Sequence, residues 1–275
     1  MHNPALPDTI LANDQKFRDL DAELETRLSN SSYRDYLIAR ALVNELSASY
    51  EIELEHLERK DIYAASIDCF QLNVPSKKDI DRRRHNPSWE QRVIEAVRLL
   101  LNDDDKMTPD RICQVHQIVR KNDDGKNWGK FRKNEVGVYD GYGRLAYLAP
   151  PPLMVSSLVD QFCNWWNEER KTIPISVGSA LAHLFFVIIH PFEDGNGRMT
   201  RLLALKALHT SPQPKPWAAS PAILDAVGKY YDALHQADLA KGRDDFLPFV
   251  EFIQEAQLKG LKWSLEALDR LEQKG

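Results

Sequence analysis

An apolar run over residues 180–189 is cut short by His190-Pro191. The run reads as a buried helix, and Pro191 disfavours helical geometry at the residue before it, so the helix is expected to stop at His190. A second helical pattern, Leu202, Leu203, Leu205, Ala207 and Leu208, starts soon afterwards. The chain must therefore fold two helices about one short turn. That turn concentrates a histidine, two acids, two glycines and two arginines between His190 and Arg201.

Each residue type has a physical use there. Gly195 and Gly197 lack a Cβ, so the backbone can turn tightly and approach a ligand. The first amides of the second helix have no intrahelical partner and lie at the positive end of its dipole, which makes a seat for phosphates. Arg198 and Arg201 stand three apart, share a helix face and can reach the same oxyanions. Asp194 offers oxygen of the kind Mg²⁺ takes beside phosphates. His190 ends one helix beside the anion seat, placed to take a proton from an incoming hydroxyl.

Taken in order, His190-Pro191-Phe192-Glu193-Asp194-Gly195-Asn196-Gly197-Arg198-Met199-Thr200-Arg201 resembles the Fic motif at every defined position. The resemblance implies a nucleotidyltransferase that moves AMP from ATP to a protein hydroxyl, with ATP as substrate and Mg²⁺ as cofactor. It implies His190 as the base and Asp194 as the metal ligand. Gly195, Asn196 and Gly197 would cradle the phosphates, Arg198 and Arg201 would bind the β- and γ-phosphates, and Phe192 would anchor the loop from beneath. Relatives with other chemistry alter the glycines of this loop; here both are intact.

The rest of the chain is consistent with a large domain carrying an appendage. Its 275 residues suffice for that, and a formal charge of −5 with a pI near 5.9 argues against a general nucleic-acid binder. The three cysteines, Cys69, Cys113 and Cys163, lie far apart without metal-ligand spacing, which fits a reducing, cytoplasmic setting. The N-terminal residues lack the pattern of a secretory signal, and the longest apolar stretch, over 177–189, contains His183 and is too short to span a bilayer.

Residues 1–75 read as a helical extension and 76–275 as the core. One helix is expected over 14–28, with Phe17, Leu20, Leu24 and Leu28 at helical spacing, and another from Tyr33 onward. The sequel, Ser49-Tyr50-Glu51-Ile52-Glu53, is similar to the family's inhibitory motif, Ser/Thr-x-x-x-Glu-Gly/Asn. The resemblance pairs Glu53 with Arg201, blocking the productive γ-phosphate position. Leu54 stands where Gly or Asn is expected, and a second frame, from Ser47 to Glu51, fits no better.

The mixed charged stretch at 77–84 reads as a linker. Asn86-Pro87-Ser88 caps a helix bearing Trp89, Val93, Ile94, Val97 and Leu100, the aspartates at 103–105 read as loop, and Thr108-Pro109 opens a helix in which His116 has no evident partner and is structural. Val136-Gly137-Val138-Tyr139 and residues 144–148 flank an Asp-Gly turn and predict a β-hairpin. It resembles the family's flap, which docks an extended target segment by strand addition, and assigns Val136, Gly137, Val138, Tyr139 and Tyr142 to that surface. A helix is expected over 153–167, and a helix starting at Ser220-Pro221 carries Tyr230 and Tyr231, which either border the adenine or sit in the core. His183, seven residues before His190 on the same face, is expected to be a hydrogen-bonded core histidine, not a metal ligand.

The fold class expected is all-α: a Fic helical core with a β-hairpin flap and an N-terminal helical extension. The function expected is a protein adenylyltransferase held off by Glu53. Its partner is a target protein, with no intrinsic nucleic-acid binding, no membrane association and an open oligomeric state. A deAMPylase of the same fold, with Glu53 orienting a water, is the nearest alternative. The others are a nucleotide-sensing binding module and a toxin restrained by its own N-terminal helix.

Overall fold

The computed structural model describes residues 6–74, 88–102, 106–120, 128–139, 145–209, 213–239 and 246–274. The linker at 77–84, the aspartates at 103–105 and the hairpin turn with Tyr142 lie outside them. In chain order come α1 (Asp8–Leu28), α2 (Arg34–Glu51), α3 (Arg59–Phe70), α4 (Trp89–Asn102) and α5 (Pro109–Arg120). A two-stranded hairpin follows, β1 (Gly137–Tyr139) with β2 (Leu145–Leu148). Then come α6 (Pro152–Asn164), α7 (Ile175–Ile189), α8 (Asn196–Leu208), α9 (Ser220–Asp225), α10 (Val227–Leu239) and α11 (Leu247–Glu272). This is the all-α architecture with a small hairpin that the sequence predicts. None of the described helices is long and apolar enough to cross a membrane.

The core is built around α7. Val177, Ala180, Leu181, Ala182, Leu184, Phe186 and Ile189 are all buried, so the helix is apolar around its circumference, as a central helix must be. α8 returns along it and buries Met199, Leu202, Leu203 and Ala207 in the same cluster. The turn between these two helices is thereby fixed from both sides.

The N-terminal helices hold the central ones by capping them. Asp14 of α1 is buried and accepts hydrogen bonds from the Ser176 amide (3.1 Å) and hydroxyl (2.6 Å), which satisfies the N-terminus of α7. Glu45 of α2 accepts from the amides of Ala219 and Ser220, both at 2.9 Å, and from the Ser220 hydroxyl at 2.5 Å, and so caps α9. Burial pushes the Glu45 carboxyl above its ordinary range, and these donors oppose the shift.

Local signals explain other starts. Ser88 and Gln91 form a reciprocal capping box on α4, and the Thr108 hydroxyl accepts the Arg111 amide (3.2 Å) at the head of α5. α1 begins at Asp8, six residues earlier than the pattern predicts, because Asp14 interrupts the buried row of Ile10, Phe17, Leu24 and Leu28. The helix expected over 153–167 ends at Asn164 and continues as a π turn, Trp165–Glu169. That wider turn buries the neighbours Trp165 and Trp166 together and lets Asn167 hydrogen-bond both backbone groups of Met107. The single helix expected from Ser220 is two, because Ala226 leaves helical geometry (φ −121°, ψ 34°) between α9 and α10.

Candidate active site

The turn after α7 is held by its own side chains. His190 is the C-cap residue of α7 and adopts left-handed geometry (φ 48°, ψ 58°). Gly195 (φ 80°) then opens α8, in a conformation that a Cβ would strain. Asn196 is buried, and its amide bridges the loop: its oxygen accepts the Phe192 amide (3.0 Å) and its nitrogen donates to the Phe192 carbonyl (2.9 Å). Asn196 thus shapes the cradle by crossing it. Phe192 is fully buried beneath the loop.

His116 carries this loop and has partners that the sequence did not reveal. Its ring stacks on Phe192 with centroids 3.6 Å apart. Its Nδ1 accepts the Gly129 amide (3.0 Å), so Nε2 bears the proton and donates to the Asp194 carbonyl (2.9 Å). Burial, with Arg120 and Arg198 nearby, drops its pKa to about 4. The expectation that His116 lacks a partner is corrected: it is the strut under the Asp194-Gly195 backbone.

His190 keeps one ring nitrogen free to accept a proton. Its Nδ1 lies 3.2 Å from the Val187 carbonyl, which can only accept, so the proton sits on Nδ1 and the Nε2 lone pair is available. Burial lowers its pKa, and the Arg132 cation adds to that. Arg132 was not singled out from sequence, yet it ties the flap to the turn. It is buried and donates to the carbonyls of His190 (2.7 Å), Asn134 (3.0 Å) and Pro150 (2.5 Å), while its own amide donates to Pro191 (2.9 Å). The Tyr147 hydroxyl of β2 donates to the Ile188 carbonyl at the end of α7.

The anion seat at the head of α8 is filled by acids from the segment after α2. Arg201 is buried, and its Nη2 donates to Glu53 Oε1 at 2.8 Å and to the Ser49 carbonyl at 2.7 Å, while its Nε donates to the Ser49 hydroxyl at 2.8 Å. The Glu53 carboxylate lies directly on Gly197: a Cβ built there would fall 2.0 Å from Oε1. Only glycine allows this approach. Of the two sequence frames, it is the one ending in Glu53 that meets Arg201.

The backbone at Leu54 explains the residue type expected after Glu53. The Glu55 amide bonds the Tyr50 carbonyl and the Leu54 amide bonds the Glu51 carbonyl, both at 3.0 Å, which is the Schellman pattern of a helix end. That pattern places Leu54 in left-handed geometry (φ 58°), where Gly or Asn is preferred.

A second acid lies one layer further in. Glu55 Oε2 meets Arg198, and Glu55 Oε1 meets Arg120 at 3.0 Å. Arg120 and Arg198 also reach the Asp194 carboxylate, at 2.5 and 3.3 Å. Arg120 was not singled out from sequence; it lies over the Trp128 ring at 4.6 Å.

The remaining sequence-selected residues are spread around this centre. In the hairpin, Gly137 pairs with Leu148, Val138 with Tyr147 and Tyr139 with Leu145, with a bulge between Val138 and Tyr139. Val136 lies just before β1 and accepts the Ala149 amide. Tyr230 is in the core, its hydroxyl 3.0 Å from His183 Nε2, whereas Tyr231 keeps an exposed face. His183 is thus hydrogen-bonded in the core, as expected.

A family model described as Fic/DOC family matches residues 106–208, the segment from the head of α5 to the end of α8. Over those residues the chain is similar to Fic domains. It is 33% identical over 175 residues to "Protein adenylyltransferase Fic" of Culex quinquefasciatus, covering 62% of this chain and 32% of that protein. It is 34% identical over 160 residues to "Protein adenylyltransferase fic-1" of Caenorhabditis elegans, covering 56% of this chain and 28% of that one. The chain spans about a third of the length of the curated relatives it matches. Among solved structures, a Fic family protein from Desulfovibrio desulfuricans superposes with a TM-score of 0.75 at 23% identity, over 97% of this chain and 77% of that one. A Fic domain containing signaling protein from Bacteroides thetaiotaomicron gives 0.66 at 19% identity, over 94% and 96%. The likeness of fold therefore extends well beyond the 106–208 match, into the N-terminal helices around it.

Proposed function

We propose that this chain is a protein adenylyltransferase that moves AMP from ATP to a hydroxyl side chain of a target protein, and that Glu53 holds it off. The observation that carries the reading is His190 with Nδ1 anchored and Nε2 available, beside a helix N-terminus whose two arginines are already gripping carboxylates. The names of the relatives at 33–34% identity support the same activity.

The chemistry follows from the residues. A target hydroxyl gives its proton to His190 Nε2 as its oxygen attacks the α-phosphorus of ATP. A new P–O bond forms, and the bond to pyrophosphate breaks with its electron pair leaving on pyrophosphate. The α8 amides and Arg198 and Arg201 stabilise charge on the leaving group. Positioning and electrostatics supply most of the acceleration, since phosphoryl chemistry asks little covalent help.

The donor set suits Mg²⁺ arriving with the nucleotide. Mg²⁺ bound beside phosphates takes one or two protein carboxylates and draws its other ligands from phosphate and water. Asp194 is one such carboxylate, with its side chain 53% exposed, and among the described residues there is no cluster of three His, Cys, Asp or Glu that would form a closed protein cage. Bound there, Mg²⁺ would neutralise charge on the phosphates.

Glu53 occupies the second arginine and the space over Gly197, so the terminal phosphate of ATP cannot settle until Glu53 leaves. The hairpin would dock the target by adding a strand to its edge, bringing the hydroxyl toward His190. The test is transfer from ATP to protein: His190→Ala is expected to abolish it while ATP still binds, and retained transfer would remove His190 from the role of base.

A further inference from the structure

The Glu55 carboxylate is shared between two guanidiniums, one on each oxygen: Arg120 on Oε1 and Arg198 on Oε2. Both arginines are buried, with side chains 10% and 2% exposed. Two fixed guanidiniums around one carboxylate describe an oxyanion seat, since a phosphate presents oxygens with the same charge and similar spacing. The buried Nε atoms of Arg120 and Arg198 have no hydrogen-bond partner among the described residues, so each cation retains donor capacity beyond Glu55 and Asp194.

We infer that Arg120 is a third phosphate-binding arginine of this site, and that Glu55 occupies its seat when nucleotide is absent. The inference rests on the proposed adenylyltransferase reading and deepens it. Arg120 comes from the end of α5, outside the motif turn, and its stem lies against Gly195, where a Cβ would fall 3.0 Å from its Cγ and Cδ. The Trp128 ring at 4.6 Å holds the guanidinium from the other side. Arg120 is therefore placed over the loop by packing as well as by charge, and stays there when Glu55 departs.

Charge bookkeeping supports the same conclusion. Arg120, Arg198 and Arg201 face Glu53, Glu55 and Asp194, three cations against three anions. Withdrawal of the 53–55 segment removes two anions together and leaves a net charge of about +2 around the seat, which suits a polyphosphate. Glu53 and Glu55 straddle Leu54 at one helix end, so a single movement of that turn uncovers all three arginines.

Calorimetric titration with ATP, AMP and inorganic tripolyphosphate tests this, with the Glu53→Gly protein as reference. Adding Glu55→Gln is expected to tighten ATP and tripolyphosphate about tenfold by freeing the seat, and to leave AMP unchanged. Adding Arg120→Gln to that double variant is expected to reverse the gain for both polyphosphates and again spare AMP. Arg120→Lys keeps the charge beside Asp194 but not the fork, and is expected to fall between the two; it serves as the readout if thermal melting shows that Arg120→Gln does not fold. Unchanged polyphosphate binding in the folded Arg120 variant, or equal weakening of AMP and ATP, overturns the inference and leaves the adenylyltransferase reading standing. Absence of ATP binding in every folded variant overturns both.

Discussion

Glu53 Oε1 lies 2.8 Å from Arg201 Nη2 and fills the place a Cβ on Gly197 would take, so one carboxylate lies against both the guanidinium and the backbone at the head of α8. Arg201 is held from the same helix end by the Ser49 hydroxyl and carbonyl. Ser49→Ala leaves a buried guanidinium N–H without its acceptor, which costs about 1–3 kcal/mol. The clamp loosens, and transfer in Ser49→Ala is expected to rise severalfold above wild type while remaining below Glu53→Gly. Steady-state labelling of all three proteins checks the order; a Ser49→Ala rate at or below wild type would contradict it.

Leu54 is a left-handed residue that is 96% exposed, so it contributes strain and no burial. Leu54→Gly relieves about 1 kcal/mol of that strain, part of it offset by the added freedom of the unfolded chain. Thermal melting is expected to rise by a degree or two, and a fall would contradict the Schellman account of this turn.

Arg132 satisfies the carbonyls of His190, Asn134 and Pro150 from a buried position. Arg132→Gln cannot span all three, and a loss of about 3 kcal/mol is expected in denaturant unfolding. It also removes a cation that lowers the His190 pKa. In a protein freed by Glu53→Gly, the acid limb of the pH–rate profile is expected below the ordinary histidine value of 6.5, and Arg132→Gln is expected to move it upward. A limb unmoved by Arg132→Gln would separate Arg132 from the base.

His116 and His209 are pushed by burial from 6.5 to about 4, and His183 lies well below its ordinary value for the same reason. Between about 6.5 and 4 the unfolded chain takes up protons that the folded chain refuses, so stability falls as pH falls through that window and is flat above it. Glu45, raised by burial, works in the opposite sense, but one carboxyl faces four lowered histidines, His190 included. The melting temperature is expected to decline from pH 6.5 to 5, and a constant value there would contradict the buried neutral histidines.

The turn was readable because its residue types have few other uses: a proline-terminated apolar helix, then two glycines, then arginines three apart. The hairpin strands were readable from their β-branched and aromatic residues. Asp14 and Glu45 were not, because each is an acid in a helix that caps a helix far away in sequence, and Asp14 also broke the periodic row that would have placed the start of α1. His116, Arg120 and Arg132 were missed for a related reason. Each reaches the motif turn across a gap of at least 58 residues, to partners that only the folded chain brings near. His116 stacks on Phe192, and a histidine packed on an aromatic far away in the chain carries no local signature. The seat of Glu53 needed the resemblance, since acids near a helix end are common on their own.

The central claim is that Glu53 restrains a His190-dependent AMP transfer. The most direct measurement is transfer of label from ATP carrying it on the α-phosphorus, with Mg²⁺, by wild type, Glu53→Gly and Glu53→Gly/His190→Ala, using self-labelling as the readout. The account predicts strong labelling by Glu53→Gly alone, about 5–150-fold above wild type, and none by the double variant. Equal labelling by wild type and Glu53→Gly would contradict the restraint, and labelling by the double variant would contradict the base.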